Sequence, residues 1–386
     1  MSAASAVPPR VSASVMTHPV RRAQAEELAS WLGVGNLAVD PDPTGPPSAL
    51  RTALVAWGQA EETATHHLMV QDDVAAPADL VGLVTEAAAR FPEDALVFYT
   101  NWHARNGALS RLAALAGAAW VRGVPQEFTP TLAVCLPVEM AARYREFGHR
   151  SGDRHDDEVL SAFLRPGGRM ALLAVPNVTE HTGTSSINGH ASQGVRKAAC
   201  PVDEATARPL LAHGPVLERP DWLPYMRNGE GYLQLSWGTE PSAHIPWREA
   251  LPHTGVSEQA LRGLEAAHRP AEAVREVAEA FGDRYAEELW LHAVLLGAQA
   301  EAVAGRLEAR PEGGLEGRLE ARPEGVSAGP ELARLRERAV STLGLASLPA
   351  EQRPGVTPGQ AALLTEYAWS AIRCGSSLLS RSGRRG

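Results

Sequence analysis

The chain has 386 residues, 44% hydrophobic and 21% charged, which allows a real buried core and, at roughly 100–200 residues per domain, two or three domains. Its formal net charge of −9 excludes a non-specific nucleic-acid binder, which needs a basic face to displace counterions. No run of about 18 apolar residues occurs, so no membrane span is expected, and the opening "MSAASAVPPRVSASVMTHP" has no apolar stretch of signal-peptide length.

The first dozen residues are rich in Ser, Ala and Pro, and a disordered tail is expected over residues 1–13. "VSASVMT" reads as a strand and "VRRAQAEELASWLG" as an amphipathic helix with Ala23, Leu28, Trp31 and Leu32 on its apolar stripe. "NLAVDPDP" is a second strand, and "SALRTALVAWGQAEE" a second helix with Ser48 as its N-cap. "HHLMVQDDV" is a third strand, "APADLVGLVTEAAARFP" a helix ended before Pro92, and "ALVFYTN" a fourth strand. This β-α-β-α-β-α-β order predicts a mostly parallel α/β sheet, with the ligand site beyond the carboxyl ends of its strands.

After residue 107 the pattern loosens. "TPTLAVCLPVEMAARYREFG" reads as strand then helix, "RHDDEVLSAFLRPGG" as helix, and "MALLAVPNVTEHTG" as a strand entering a polar loop. A hairpin is expected around Asn228-Gly229. Residues 257–309 and the stretch "PGQAALLTEYAWSAIRCGSSLL" are expected to be helical. "GRLEARPEG" occurs at 305–313 and again at 317–325; two copies are too few for a solenoid, so 305–330 is read as a linker. The expected divisions are an α/β catalytic domain over 14–199, a mixed then helical region over 200–304, the linker, and C-terminal helices with a basic tail over 331–386. Cys135, Cys200 and Cys374 stand at no CxxC spacing, so neither a zinc site nor a disulfide framework is indicated, and a reducing, cytoplasmic setting fits.

Four stretches can carry chemistry. Asp72 and Asp73 end an apolar strand, where adjacent carboxylates repel unless a cation or hydrogen-bond donors compensate. A hard divalent ion takes oxygen ligands from such carboxylates and from substrate phosphates. Taken alone, the pair also reads as a solvated acidic turn. Asp156, Asp157 and Glu158 open a helix, where acids suit the helix dipole and where one of them can serve as a general base. "VPNVTEHTGTSSINGH" offers Glu180, His181, Ser185, Ser186 and His190, and neutral imidazole is a common metal ligand. "THPVRR" places His18, Arg21 and Arg22 at the tip of the first strand, where a basic pair suits a phosphate.

In this order these stretches resemble the GT-A-fold glycosyltransferases, in particular bacterial and phage members near glycosyltransferase families 2 and 25. The resemblance rests on "VMTHPVRR", "SALRTALVAW", "HHLMVQDDV", "TPTLAVCLPVEMAARY", "RHDDEVLSAFL" and "VPNVTEHTGTSSINGH", and covers roughly residues 14–192. It implies a hexosyltransferase-like, inverting enzyme that uses a nucleotide-diphosphate sugar as donor and an acceptor hydroxyl as nucleophile. By position it implies Asp73 and His181 as ligands of Mn²⁺ or Mg²⁺, and Asp157 or its neighbour Asp156 as catalytic base. It places Asp72, His18, Arg22, Arg51, Asn101 and Trp102 along the nucleotide-sugar pocket. Gln71 departs from the pattern, which has an acid at that position. Two other readings stay open: a metal-dependent nucleotidyltransferase, although no Gly-rich phosphate loop is found, and a catalytically silent GT-A-like binding module. The partners expected are the nucleotide sugar and a hydroxyl acceptor, with no nucleic acid; association into a homo-oligomer stays open.

Overall fold

The computed structural model describes residues 8–183, 195–238, 244–309 and 329–382. The chain begins with β1 (Val11–Thr17), α1 (Arg22–Leu32), β2 (Asn36–Val39), α2 (Ala49–Ala56), β3 (His66–Gln71), β4 (Val74–Ala75), α3 (Leu80–Arg90) and β5 (Leu96–Val97). It continues with α4 (Arg105–Ala116), β6 (Trp120–Arg122), β7 (Ala133–Pro137), α5 (Val138–Arg150), α6 (Asp156–Leu164), β8 (Leu172–Ala174) and β9 (Glu180–His181). Then come α7 (Glu204–His213), β10 (Val216–Leu217), β11 (Leu223–Arg227), β12 (Glu230–Gln234), β13 (Ile245–Pro246) and α8 (Trp247–Ala250). The chain ends in α9 (Glu258–His268), α10 (Ala271–Phe281), α11 (Asp283–Ala309), α12 (Pro330–Ser341), α13 (Leu343–Ser347) and α14 (Pro358–Ser382).

The alternation of strands and helices builds the expected α/β layer. Among the described residues it is an eight-stranded sheet in the order β10-β6-β8-β5-β7-β3-β1-β2. The pairs β1–β2, β1–β3, β5–β8 and β6–β10 are parallel, whereas β7 runs antiparallel between β3 and β5, and β6 antiparallel to β8. The sheet is therefore mixed and largely parallel. Both its faces are covered, so the central strands are apolar on each side rather than alternating. Leu68 and Val70 of β3 pack in one buried cluster with Val15, while Met69 packs in the other with Met16. His67 sits in this core as a neutral ring: Ser12 Oγ lies 2.8 Å from Nδ1 and Ser14 Oγ 3.0 Å from Nε2, and burial pushes its pKa down to about 4.

Several expectations shift. The tail expected through residue 13 ends earlier, because β1 starts at Val11 and its backbone pairs with β3 from His66 onward. In α1 the buried residues are Ala25, Leu28, Ala29 and Leu32, at helical spacing i, i+3, i+4, i+7. Trp31 faces outward, 59% exposed, and Ala23 is exposed as well. The sheet does not stop at residue 199: β10, beyond that boundary, adds an edge strand to β6. The linker expected from residue 305 is helical through Ala309, where α11 ends; residues 310–328 lie outside the described residues, as do Ser185, Ser186 and His190.

The expected hairpin forms from β11 and β12, with Asn228 (φ 51°) and Gly229 (φ 82°) at its tip, both left-handed as a type I′ turn requires. Ser48 caps α2, accepting a hydrogen bond from Arg51 N at 3.2 Å. The C-terminal region is mainly helical, and its long helices α11 and α14 pack along each other. Gly297 and Gly375 permit that approach, since a Cβ at either would stand 2.1 or 2.0 Å from a backbone oxygen of the facing helix. Helix α4, buried almost all round, is wedged between the sheet and α11 and α12, so one apolar cluster runs from α2 and the sheet into the helical region. Among the described residues no helix is long and apolar enough to cross a membrane, and the three cysteines are free.

Candidate functional site

A cavity of about 690 Å³ opens at the carboxyl ends of β1, β3 and β5. Thr17 ends β1, Gln71 ends β3, and Tyr99 and Asn101 follow β5; the first turn of α6 closes the opposite wall with Asp156, Asp157 and Glu158. The cavity thus brings both acidic stretches of the sequence into one space, at the place where an α/β sheet leaves its loops free to bind.

The first acid pair is held by donors. Thr17 Oγ1 donates to Asp72 Oδ2 at 2.6 Å. Arg21 Nη1 bridges the pair, 3.2 Å from Asp72 Oδ1 and 2.9 Å from Asp73 Oδ2. Behind Asp73, β4 pairs with β9 in register Val74↔His181, which brings the His181 ring to the acid. His181 Nε2 lies 3.4 Å from Asp73 Oδ2 and 2.8 Å from Arg196 Nη2. Gly183 matters here: a Cβ at this position would stand 2.6 Å from Asp73 Oδ2. Burial pushes both carboxyls up. For Asp72 burial wins, whereas for Asp73 the contacts with His181 and Arg21 outweigh it and the carboxyl ends below its ordinary range.

The second acid pair sits in a different setting. Asp156 lines the cavity but is largely buried, and its Oδ2 has no hydrogen-bond partner. Burial first, and then the charge of Asp157, push its carboxyl up to about 7, against hydrogen bonds from Thr131 and from the helix backbone. Asp157 is half-buried, and its Oδ1 accepts a hydrogen bond from Glu158 N at 2.9 Å. Gln71 and Thr131 link the two pairs, with Gln71 Nε2 donating to Thr131 Oγ1 at 3.2 Å.

Most residues expected at the site line this cavity: His18, Arg51, Asp72, Asp73, Asn101, Asp156, Asp157 and His181. Two do not. Arg22 starts α1 on the outside and pairs with Glu26 one turn on, at 2.8 Å; the neighbouring Arg21 is the one that reaches the acids. Trp102 is buried beneath the wall, its Nε1 donating to Val195 O at 3.1 Å, so it offers no free stacking face in the cavity. Arg51 lines the cavity, but its guanidinium is bound bidentately to Asp40 at 2.7 and 2.8 Å and braces the loop after β2. His18 caps the turn before α1, its Nδ1 accepting from Val20 N at 3.3 Å. Sequence reading passed over Thr17, Thr131 and Arg196. Arg196 carries no motif; only the fold brings it to His181.

Asp73 and His181 could supply two ligands to a hard divalent cation. Asp73 Oδ1 is buried without a hydrogen-bond partner, and the acid lies against one imidazole. The lining has six carboxylates, Asp40, Asp72, Asp73, Asp156, Asp157 and Glu158, against three arginines, Arg21, Arg51 and Arg196. An anionic ligand in this cavity therefore calls for a further positive charge. No cluster of three or more metal-ligating side chains occurs among the described residues, so substrate oxygens and water would complete the coordination. No protein-family model matches the chain, and no curated protein does.

Proposed function

We propose that the chain is a GT-A-like, inverting glycosyltransferase that moves a sugar from a nucleotide-diphosphate sugar to an acceptor hydroxyl. The supporting observation is the meeting, in one cavity at the strand ends, of a donor-held acid pair beside His181 and a second acid pair with an unpartnered buried carboxyl oxygen. Asp73 and His181 would hold Mn²⁺ or Mg²⁺, which when bound neutralises the leaving diphosphate. Arg21 and Arg196 orient the phosphates and share their charge, and Thr17 keeps Asp72 fixed at the edge of the pocket. Asp156 accepts the proton of the acceptor hydroxyl as that oxygen attacks the anomeric carbon. The new C–O bond forms on the face opposite the breaking bond to the diphosphate, and the centre inverts. A base near pH 7 is matched to this task, which favours Asp156 over Asp157.

The test is a thermal-shift screen of UDP, GDP, CDP and dTDP, each with and without Mn²⁺. Stabilisation by one diphosphate that requires the metal supports the reading and names the base; no shift with any of them refutes it. Product analysis then separates transfer of the sugar, with release of the diphosphate, from a nucleotidyl transfer that releases pyrophosphate.

A further inference from the structure

The nitrogen that His181 would offer a metal ion is already engaged. Arg196 Nη2 lies 2.8 Å from His181 Nε2, inside the usual hydrogen-bond range, whereas Asp73 Oδ2 lies 3.4 Å from the same nitrogen, outside it. A guanidinium can only donate, so Nε2 accepts and its lone pair faces Arg196. A metal ion at Nε2 takes that same pair, and one pair cannot serve both. The other ring nitrogen, Nδ1, then carries the proton; it is buried without a hydrogen-bond partner and has no pair to give. Asp73 is arranged differently: Arg21 holds its Oδ2 at 2.9 Å, and its Oδ1 is buried without a partner. Both backbones behind the Arg196–His181 contact are fixed. Tyr99 donates its hydroxyl to Arg196 O at 2.7 Å, and Trp102 donates its indole N–H to Val195 O at 3.1 Å and its backbone N–H to Lys197 O at 2.9 Å. Glu180 Oε1 accepts from His181 N at 3.0 Å and from Ala198 N at 2.9 Å, which ties the two segments to one carboxylate. Arg196 can therefore change partner by turning its side chain alone.

Arg196 also lines the cavity that the diphosphate would enter. We propose that Arg196 couples metal binding to donor binding by exchange: it surrenders His181 Nε2 to the divalent cation and turns its guanidinium to the diphosphate oxygens, whose geometry its fork matches. A cation that arrives alone has to displace a hydrogen-bond donor and settle beside two guanidinium groups, Arg196 and Arg21. When the diphosphate is bound, Arg196 has a charged acceptor to move to. Each ligand then raises the affinity for the other by the same factor, as linkage requires. The part given to the diphosphate rests on the transferase reading, but the competition at Nε2 is testable without it.

Isothermal titration of the full chain with Mn²⁺ alone is the experiment, on the wild type, Arg196→Ala, His181→Ala and the double variant. Arg196→Ala is expected to bind Mn²⁺ about tenfold more tightly than the wild type, a factor within the usual range of such couplings. The gain is expected to be absent between His181→Ala and the double variant, because it runs through Nε2. A gain that survives without His181 comes from the removal of a positive charge and overturns the proposal. So does an affinity that is unchanged or lower in Arg196→Ala, or no Mn²⁺ binding in any form. Arg196→Met, which keeps the length of the side chain and loses its donors, decides the matter if Arg196→Ala does not fold. The titrations are then repeated in the presence of UDP, GDP, CDP and dTDP in turn. A diphosphate that binds is expected to tighten Mn²⁺ on the wild type and to do so less on Arg196→Ala; equal tightening on both overturns the coupling. Tighter Mn²⁺ in Arg196→Ala without binding of any diphosphate would leave the competition at Nε2 standing and remove the transferase reading. Metal-dependent diphosphate binding with no gain in Arg196→Ala would remove this inference alone.

Discussion

The chain contains two Asp-Asp pairs in one cavity, and they are opposites. Asp72 and Asp73 end a strand and meet Thr17, Arg21 and His181; Asp156 and Asp157 begin a helix, and Asp156 is largely buried with one oxygen unpartnered. The same dipeptide yields a carboxyl held below its ordinary range in Asp73 and one raised to about 7 in Asp156. The difference comes from the surroundings, not from the acids: burial acts on both, but His181 and Arg21 outweigh it at Asp73, whereas at Asp156 burial and the charge of Asp157 prevail over the hydrogen bonds. Carboxylates pushed apart in this way take different roles, one staying charged and one exchanging protons near neutrality.

The sharpest way to break the comparison is Asp73→Ala. If the strand-end pair binds the donor, metal-dependent stabilisation by a nucleotide diphosphate is expected to vanish while the circular dichroism spectrum is kept. Unchanged affinity would show that Asp73 is not a ligand. Asp156→Asn is expected to keep donor binding and to lower transfer by about 10²–10⁴-fold, the usual contribution of a general base. If Asp157→Asn is the inactive variant instead, the base is the more exposed neighbour.

The same substitution tests the electrostatics through stability. In the folded chain Asp156 keeps its proton up to about pH 7, whereas unfolded it releases it in the ordinary carboxylate range. Between those limits the folded state binds the extra proton, so its stability falls as pH rises and the loss is complete above about pH 7. Asn has no proton to lose. Asp156→Asn is therefore expected to raise Tm at pH 8 and to change it less at pH 5, and scans at the two values check the sign. Wild-type kcat/KM is expected to rise with pH through about 7 for the same reason. A flat profile would leave Asp156 without the role of base.

Much of this comparison was legible in the sequence, because strand tips and helix starts are local. The run His66 to Val70 ends at Gln71, so Asp72 and Asp73 had to emerge at its tip; "RHDDEVL" begins a helix wherever the rest of the chain goes. What remained hidden is set by distance in the chain. Arg21 and Arg22 are adjacent, and only the turn at Pro19–Arg21 decides which one faces the acids. Trp102 looked like a stacking face because nothing in "YTNWH" reveals that residues 195 and 197 cover it. The strands β6 and β10 have three and two residues, too short for any period, and the antiparallel direction of β7 depends on partners far away. Helix α4 is buried on nearly every side and so shows no amphipathic stripe.

Gln71 supplies the smallest test and the link between the two pairs. Under the proposed transferase reading an acid is expected at this position; here an amide donates to Thr131 Oγ1, which leaves the Thr131 hydroxyl proton for Asp156. A carboxylate at residue 71 would reverse that bond, because it can only accept, and Thr131 would give its proton to residue 71. Gln71→Glu is therefore expected to take a stabilising donor from the Asp156 carboxylate and to add a negative charge nearby. Both changes favour the protonated acid, so the alkaline rise of kcat/KM should move to higher pH, by about one unit or less for the loss of one neutral donor and one partly screened charge. Donor affinity should change little, since Asp73, His181 and Arg21 stay in place. A profile that stays put would mean that the two acid pairs are independent, and that Gln71 only fills its corner of the wall.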